Sequence, residues 1–192
     1  MSVATRSITL EEFDTLPDDG VERWIIRGQL REKPMSTRSL LHAHAVAMIS
    51  CHLVNWNATQ QRPRGKVLSG DAGVIFNRDS EVTILGVDIS YINAELASRK
   101  LDRKSRIEGV PTLAVEIRSP SNDDDEIAEK ISQYIECGVP LVWIVDPWFQ
   151  TVTVHRPNHQ PEMFNNTEEI TGESHLPGFR LPVIQMFDDP RA

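Results

Sequence analysis

The chain has 192 residues, of which 40% are hydrophobic and 25% are charged, and its formal net charge is −8. These values are typical of a single globular domain over residues 1–192 that buries a full core. The negative charge excludes a general coat protein for nucleic acid, because such proteins bind by neutralising phosphates with basic residues.

The sequence carries few signals for a compartment. No apolar run approaches the ~20 residues of a membrane span, and the N-terminal stretch lacks the apolar core of a signal peptide. Cys51 and Cys137 lie far apart, without metal-ligand spacing. We therefore expect a reduced, cytoplasmic protein without membrane contact, zinc or a disulfide framework.

The predicted elements mix helices and strands along the chain. Thr9 caps a short helix in 9–17, and Gly28 marks the turn between two strands in 21–34. Acids crowd the first turn of a helix at 121–138, where the helix dipole favours them. The other predicted segments are a long helix at 39–60, strands at 65–76, 81–93, 112–119, 140–147 and 150–157, and a closing turn and helix at 176–187. This order indicates an α/β fold in which helices flank one central mixed β-sheet.

One stretch is strongly basic in this acidic chain. It reads "RKLDRKSR" and covers 99–106, between two predicted strands. Such a run is either a solvated charged face or a local contact for DNA, and the sequence leaves both open.

Two predicted strands carry an acid at their centre, in "LGVDISYI" and "TLAVEIRSPS". A buried strand normally excludes a carboxylate, because desolvation of the charge is costly without a partner. Side chains alternate along a strand, so Gly86 and Ser90 share the face of Asp88, and Ala114 shares that of Glu116. These small neighbours leave room for a guest beside the acids. We expect the two carboxylates to lie close enough to share one ion, with a raised pKa on at least one of them.

Two basic residues accompany Glu116. Arg118, two residues further along the strand, shares its face, and Lys130 lies on the edge of the apolar stripe of the following helix. Lys130 either leans toward Glu116 or forms an i,i+4 pair with Glu126. The alternative to a functional site is a buried structural network in which Glu116 pairs with one of the two bases.

Five stretches of the chain resemble the Uma-type endonuclease family, a branch of the PD-(D/E)XK restriction-endonuclease-like superfamily. They are "GVDISYI", "PTLAVEIRSPS", "EKISQYIECGVPLVWIVDP", "TVTVHRP" and "LPGFRLPV". The resemblance runs from "TLEEFDTLP" to "LPGFRLPVIQMF" in the order of the family, and the block from Glu116 to Pro147 is its most specific part. It implies a restriction-endonuclease-like core.

The resemblance also implies roles for single residues. Asp88 and Glu116 match the two acids that bind Mg²⁺ in the superfamily, with Mn²⁺ as a substitute, although Val87 replaces the usual proline. Arg118 stands where the acid-x-lysine triplet has its lysine, and it cannot be a general base because its pKa stays above ~12. Lys130 matches the helix position to which the lysine of this family has moved.

Several positions depart from the family pattern or have an open role. Trp24 stands where a glutamate is expected in the first strand, and Gln29 where a second acid often follows. Glu22, two residues before Trp24 on the same face, is a poor substitute for that glutamate. His42 matches a common family histidine, whose role is either structural or catalytic.

The resemblance, read with these residues, implies two possible functions. The first is a Mg²⁺-dependent endonuclease that hydrolyses DNA phosphodiester bonds at Asp88 and Glu116, with Lys130 or Arg118 stabilising the developing charge. The second is a catalytically lapsed nuclease fold that acts as a binding or assembly module, which Trp24, the missing triplet lysine and the negative charge favour. Apolar residues in the predicted hairpin turn, "DPWF", are candidates for a homodimer contact.

Overall fold

The fold begins with a short capped helix and a β-hairpin, as the turn signals predict. The structure is a computed structural model that describes residues 6–35, 37–77, 81–99, 106–119 and 124–187. The Thr9 side chain accepts a hydrogen bond from the Glu12 backbone N–H, and the Glu12 carboxylate accepts from the Thr9 backbone N–H. This reciprocal cap satisfies two N–H groups that have no partner within the helix. Gly28, at the hairpin turn, has a φ of +70°, which glycine adopts without steric cost.

The elements follow one another along the chain much as predicted. They are β1 (Arg6–Ser7), α1 (Leu10–Asp14), β2 (Val21–Ile26), β3 (Gln29–Pro34), α2 (Leu40–Thr59), β4 (Lys66–Asn77), β5 (Thr83–Ile92), α3 (Ala94–Ala97), β6 (Ile107–Glu108), β7 (Leu113–Ile117), α4 (Asp124–Glu136), β8 (Val142–Asp146), β9 (Thr151–His155), β10 (Glu162–Phe164), β11 (Glu169–Gly172), β12 (Leu176–Pro182) and a 3₁₀ turn (Val183–Met186).

One mixed sheet organises the described part of the chain. Its strands follow the order β1-β3-β2-β5-β7-β8-β9-β10, and β4 pairs with both β5 and β6. The β7–β8 and β4–β6 pairs are parallel, whereas the other pairs in this sheet are antiparallel. Strands β11 and β12 form a separate antiparallel hairpin. The predicted α/β fold with a central mixed sheet is confirmed.

Two helices supply separate hydrophobic clusters with the central strands. Ala45, Ile49 and Leu53 of α2 pack with one set of side chains from β7, β8 and β9. Ile127 and Tyr134 of α4 pack with the alternate side chains of β7 and β8. Strand β7 is therefore buried by both clusters, which explains its nearly continuous apolar sequence. None of the described helices has the length and apolarity needed to cross a membrane.

The C-terminal part differs from the prediction. The segment predicted as a turn and helix at 176–187 is strand β12 followed by a 3₁₀ turn, and strands β10 and β11 were not predicted. Gly172 allows β11 and β12 to approach closely at the end of their hairpin, since a Cβ there would lie 2.3 Å from the Leu176 Cβ. The short strands contain too few alternating residues to identify them from periodicity.

Two predicted features lie partly outside the described residues. These are positions 100–105 of the basic stretch and positions 121–123 of the predicted helix. Arg106, at the end of the basic stretch, is buried, and its guanidinium donates to Asp14 Oδ1 at 2.6 Å. Arg106 is thus part of the fold and not of a solvated charged face.

Candidate active site

Strands β5 and β7 bring the two acids to one face. These strands pair in antiparallel register, with Ile89 opposite Val115 and Ser90 opposite Ala114. One further step of this register places Asp88 opposite Glu116, and opposite residues of a pair project to the same side. Both acids are buried, with exposures of 5% and 4%.

Helix α4 holds both oxygens of the Glu116 carboxylate. Lys130 Nζ lies 3.0 Å from Oε2, and the Tyr134 hydroxyl donates to Oε1. Residues four apart lie on one face of a helix, so both contacts come from adjacent turns of α4. The alternative partner of Lys130 is occupied elsewhere, because Glu126 accepts from Lys33 Nζ at 2.6 Å.

Asp88 is held by the neighbouring strand and by the start of α2. Its Oδ2 accepts from the Ile117 backbone N–H at 2.8 Å and lies 3.3 Å from His42 Nε2. Ser39 fixes the start of α2, since its hydroxyl accepts from the His42 backbone N–H. The other ring nitrogen of His42, Nδ1, is buried and has no hydrogen-bond partner within the described part of the chain. His42 therefore contacts a candidate acid, which is compatible with either role left open above.

Burial and charge separate the pKa values of the two acids. Burial raises the pKa of Glu116 to about 7; the charge of Lys130 opposes this rise, and the charge of Asp88 adds to it. For Asp88, burial acts in the same direction, but the bonds from His42 and the Ile117 backbone outweigh it and hold its pKa below the ordinary value. This agrees with the expectation that one acid has a raised pKa, although burial contributes more than repulsion.

The two α4 residues have fixed protonation states at neutral pH. Burial lowers the pKa of Lys130, but the charge of Glu116 and its hydrogen bond outweigh that effect, so the pKa lies above its ordinary value. Burial, followed by the charge of Glu116, raises the pKa of Tyr134 well above 10.0. The site therefore presents an ammonium group and a neutral phenol to Glu116.

A bulge in β4 lies opposite Asp88 in the β4–β5 register. The β4–β5 register shifts between Ser69 and Ala72, where Asp71 has a φ of 54°. A Cβ on Gly86 would lie 3.4 Å from the Asp71 carbonyl oxygen. This distance is an ordinary van der Waals contact, so the bulge lies beside Gly86, and room for a guest beside the two acids stays a prediction. Bulges of this kind often adjoin active sites, where they redirect a strand.

The β2 position expected to hold a glutamate is closed by a packed indole. Trp24 is 5% exposed and packs in the α4 cluster, with Lys33 Nζ 5.3 Å from its ring centroid. The described ion-pair partners of Glu22 are Lys33 at 3.7 Å and Arg38 at 3.8 Å. Gln29 donates to Ser7 at the sheet edge. Neither Glu22 nor Gln29 has a described contact with the two candidate acids.

Arg118 lies beyond the buried cluster. Its guanidinium pairs with Asp124 and lies 3.7 Å from Asp146, and its side chain is 38% exposed. The structure therefore joins Asp88, Glu116 and Lys130 but leaves Arg118 at the solvent-facing end of the strand. Tyr134 also contacts Glu116, although helical periodicity alone places it only in the apolar stripe of α4. Its spacing of four from Lys130 was the signal that it reaches the same acid.

The donor set suits a hard cation with few protein ligands. Within the described ranges, no group of three or more His, Cys, Asp or Glu side chains is arranged to hold a metal ion. Mg²⁺ is commonly held by one or two carboxylates, with water and substrate phosphate completing its shell. An ionised carboxylate offers about four lone-pair positions, so the two contacts to Glu116 leave others free. Asp88 and Glu116 together fit this type of site.

The fold and the buried acid–acid–lysine cluster define a restriction-endonuclease-like α/β protein. The model of the Uma2 family, described as "Putative restriction endonuclease", matches residues 10–184. The chain belongs to this family. A search of curated proteins found no match.

A solved structure supports the fold. It is the crystal structure of "a putative nuclease belonging to DUF820" from Anabaena variabilis ATCC 29413, with a TM-score of 0.76 and 22% sequence identity. The match covers 94% of this chain and 97% of that protein. The two proteins share the fold over nearly their whole lengths.

Proposed function

We propose that this protein is a Mg²⁺-dependent endonuclease that hydrolyses phosphodiester bonds of DNA. The observation that carries the proposal is the convergence of Asp88, Glu116 and Lys130 from β5, β7 and α4 in one buried cluster. The family description and the fold of a similar protein described as a nuclease support the same chemistry.

Each of the three residues has a role that follows from its charge. Asp88 and Glu116 would hold the ion, and Mn²⁺ would substitute for Mg²⁺. When bound, such an ion polarises the scissile phosphate and lowers the pKa of a coordinated water. Lys130 keeps its proton at neutral pH, so it stabilises negative charge that develops on the phosphate oxygens and does not act as a base.

A plasmid-nicking assay tests the proposal. Purified protein is incubated with supercoiled DNA and Mg²⁺, Mn²⁺ or EDTA, and the nicked product is measured. Asp88→Asn, Glu116→Gln and Lys130→Ala should each abolish the metal-dependent nicking while circular dichroism shows an intact fold. Arg118→Ala is the matched control and should cost less, because its guanidinium already pairs with Asp124 and Asp146. Loss of activity in Arg118→Ala with Lys130→Ala unaffected would reverse the assignment of the two bases.

The second candidate is a lapsed nuclease fold that serves as a binding module. Trp24 favours it, because a buried indole occupies the strand position of an expected acid. If the parent protein does not nick DNA with either metal, Trp24→Glu decides between the two functions. Recovered cleavage would identify a nuclease that lost one acid, whereas continued inactivity would favour the binding module. Far-UV circular dichroism must accompany the test, since loss of a buried tryptophan side chain costs about 3–5 kcal/mol.

We also propose that the protein acts as a homodimer in the reducing cytoplasm. Trp148 and Phe149 in the β8–β9 turn are 46% and 80% exposed, and Met163 on the edge strand β10 is 68% exposed. Cys51 and Cys137 are both free, which suits a reducing compartment. Analytical ultracentrifugation of the parent and of Phe149→Ser tests the dimer. A monomer mass for the parent that does not change with concentration would exclude it.

A further inference from the structure

Tyr134 makes a contact that its position in the apolar stripe does not require. Its side chain is fully buried, and its ring lies 5.7 Å from that of Phe76, centroid to centroid. The hydroxyl does not point to water but donates to Glu116 Oε1. A buried tyrosine hydroxyl generally needs a hydrogen-bond partner, and here the partner is a candidate metal ligand.

With this contact, both oxygens of the Glu116 carboxylate have a hydrogen-bond partner on α4. Tyr134 holds one oxygen and Lys130 holds the other, at 3.0 Å. A carboxylate held at both oxygens cannot turn about its last side-chain bond without breaking a hydrogen bond. Lys130 alone would hold one oxygen through a long, flexible side chain, so the hydroxyl adds the second contact that fixes the plane of the carboxylate.

Helix α4, which supplies both partners of the carboxylate, is itself joined to the sheet by ion pairs. Glu126 and Glu129 of α4 accept from Lys33 at 2.6 Å and from Arg31 at 2.8 Å, both on strand β3. Both ion pairs lie on the N-terminal side of Lys130 and join α4 to the sheet. The position of the Tyr134 hydroxyl relative to Glu116 is thus set by the fold.

We propose that Tyr134 is a positioning residue, which holds the Glu116 carboxylate toward Asp88 so that the two acids can bind a divalent cation together. The part of this inference that concerns the cation rests on the proposed function. The hydroxyl donates its hydrogen to Glu116 Oε1, on the side of the carboxylate opposite the Lys130 contact. It therefore shapes the site and takes no part in bond breaking.

Tyr134→Phe tests the proposal with the removal of a single oxygen. The ring and its packing against Phe76 are retained, so the fold should persist. Tyr91→Phe is the matched control, since Tyr91 is also buried and its hydroxyl bonds to the backbone of Gly65, away from Glu116. Binding of Mn²⁺ alone is measured by titration calorimetry on the full chain. We expect the dissociation constant to rise about 10- to 100-fold in Tyr134→Phe and to stay unchanged in Tyr91→Phe.

Cleavage provides a second measurement that a purely structural role would not change in the same way. In Tyr134→Phe, kcat/KM at low Mn²⁺ should fall, and high Mn²⁺ should restore it, because the variant reduces only the affinity for the ion. Incorporation of 4-aminophenylalanine at position 134 returns a donor to the same place and should restore binding. Binding that stays weak with this donor, or a Tyr134→Phe protein with parental affinity, would overturn the proposal.

Crystal structures separate this inference from the proposed function. If the parent protein binds neither Mn²⁺ nor Mg²⁺, the proposed function is wrong. The orientation of the Glu116 carboxylate still tests whether Tyr134 positions it. A carboxylate that turns away from Asp88 in Tyr134→Phe but not in Tyr91→Phe would support the role of Tyr134. The same carboxylate orientation in all three proteins would refute it.

Discussion

The ion pair between Lys130 and Glu116 gives a prediction about stability that needs no metal. Lys130→Met removes the ammonium but keeps an unbranched apolar side chain in a site where Lys130 is only 9% exposed. Glu116 then loses the nearby charge that lowers its pKa, so that pKa rises above its present value of about 7. The variant must keep Glu116 protonated in the folded state at a pH where the unfolded chain has released the proton.

The sign and size of the effect follow from proton linkage. A folded-state pKa raised above the unfolded value means that stability is fully present at low pH and is lost as the pH rises through the folded value. The parent loses this contribution between the unfolded value of 4.5 and about 7. The variant goes on losing about 1.4 kcal/mol per pH unit above 7, because its folded state binds one more proton than its unfolded state. Between pH 7 and pH 8.5 the stability difference between the two proteins should therefore widen by about 2 kcal/mol.

Urea unfolding in EDTA, followed by tryptophan fluorescence at several pH values, measures this difference. Loss of the ammonium charge adds an offset that is the same at each pH, so only the slope reports on Glu116. The double variant Lys130→Met/Glu116→Gln has no acid to titrate and should show no extra slope. A difference between parent and Lys130→Met that stays constant from pH 6 to pH 8.5 would refute the reasoning.

Two further predictions concern the surroundings of the site. His42→Phe removes a hydrogen bond to Asp88 and should therefore raise the pKa of that acid. Mn²⁺ binding, measured by calorimetry, should then weaken more at pH 5 than at pH 8. An equal change at both pH values would contradict this. Gly65→Ala should lower the free energy of unfolding by about 1–3 kcal/mol, because the added Cβ would lie 2.2 Å from the Ile92 carbonyl oxygen. An unchanged urea midpoint would show that the backbone shifts to accommodate the methyl group.

The placement of Asp88 and Glu116 could be predicted because it depends on local regularities. Alternation along two strands decides which side chains share a face, and the apolar neighbours show that the strands are buried. Lys130 could be placed on the edge of the α4 stripe by the same reasoning. The partner of Lys130 could not be predicted, because Glu126 is already paired with Lys33 of β3, a residue distant in sequence. Contacts between distant segments of this kind leave no periodic signal.

The bulge in β4 limits what alternation can predict for β5. Leu85 and Val87 pack in the α4 cluster, whereas Ile89 and Tyr91, at the same alternation, pack in the α2 cluster. The change occurs at Asp88, beside the register shift in β4. Bulges strengthen the local twist of a strand, so one face can meet different layers at its two ends. Gly70, next to Asp71 within "VLSGDAGV", was the available signal, since glycine inside a strand often marks a bulge.

Under the proposed function, the charges of the site predict that DNA and the divalent ion bind as linked ligands. Asp88 is ionised at neutral pH, Glu116 is near its midpoint, and Lys130 offsets about one negative charge. The whole chain carries −8, so the metal-free protein repels a phosphate backbone. A bound ion of charge +2 changes the sign of the local field at the place where the scissile phosphate would lie. DNA affinity, measured by filter binding with Ca²⁺ as an ion that supports no cleavage, should therefore rise about tenfold or more over EDTA, since linked sites commonly couple by 1–3 kcal/mol. The double variant Asp88→Asn/Glu116→Gln should bind DNA equally with and without Ca²⁺. A parent protein whose DNA affinity also does not change with Ca²⁺ would show that the two acids do not govern DNA binding.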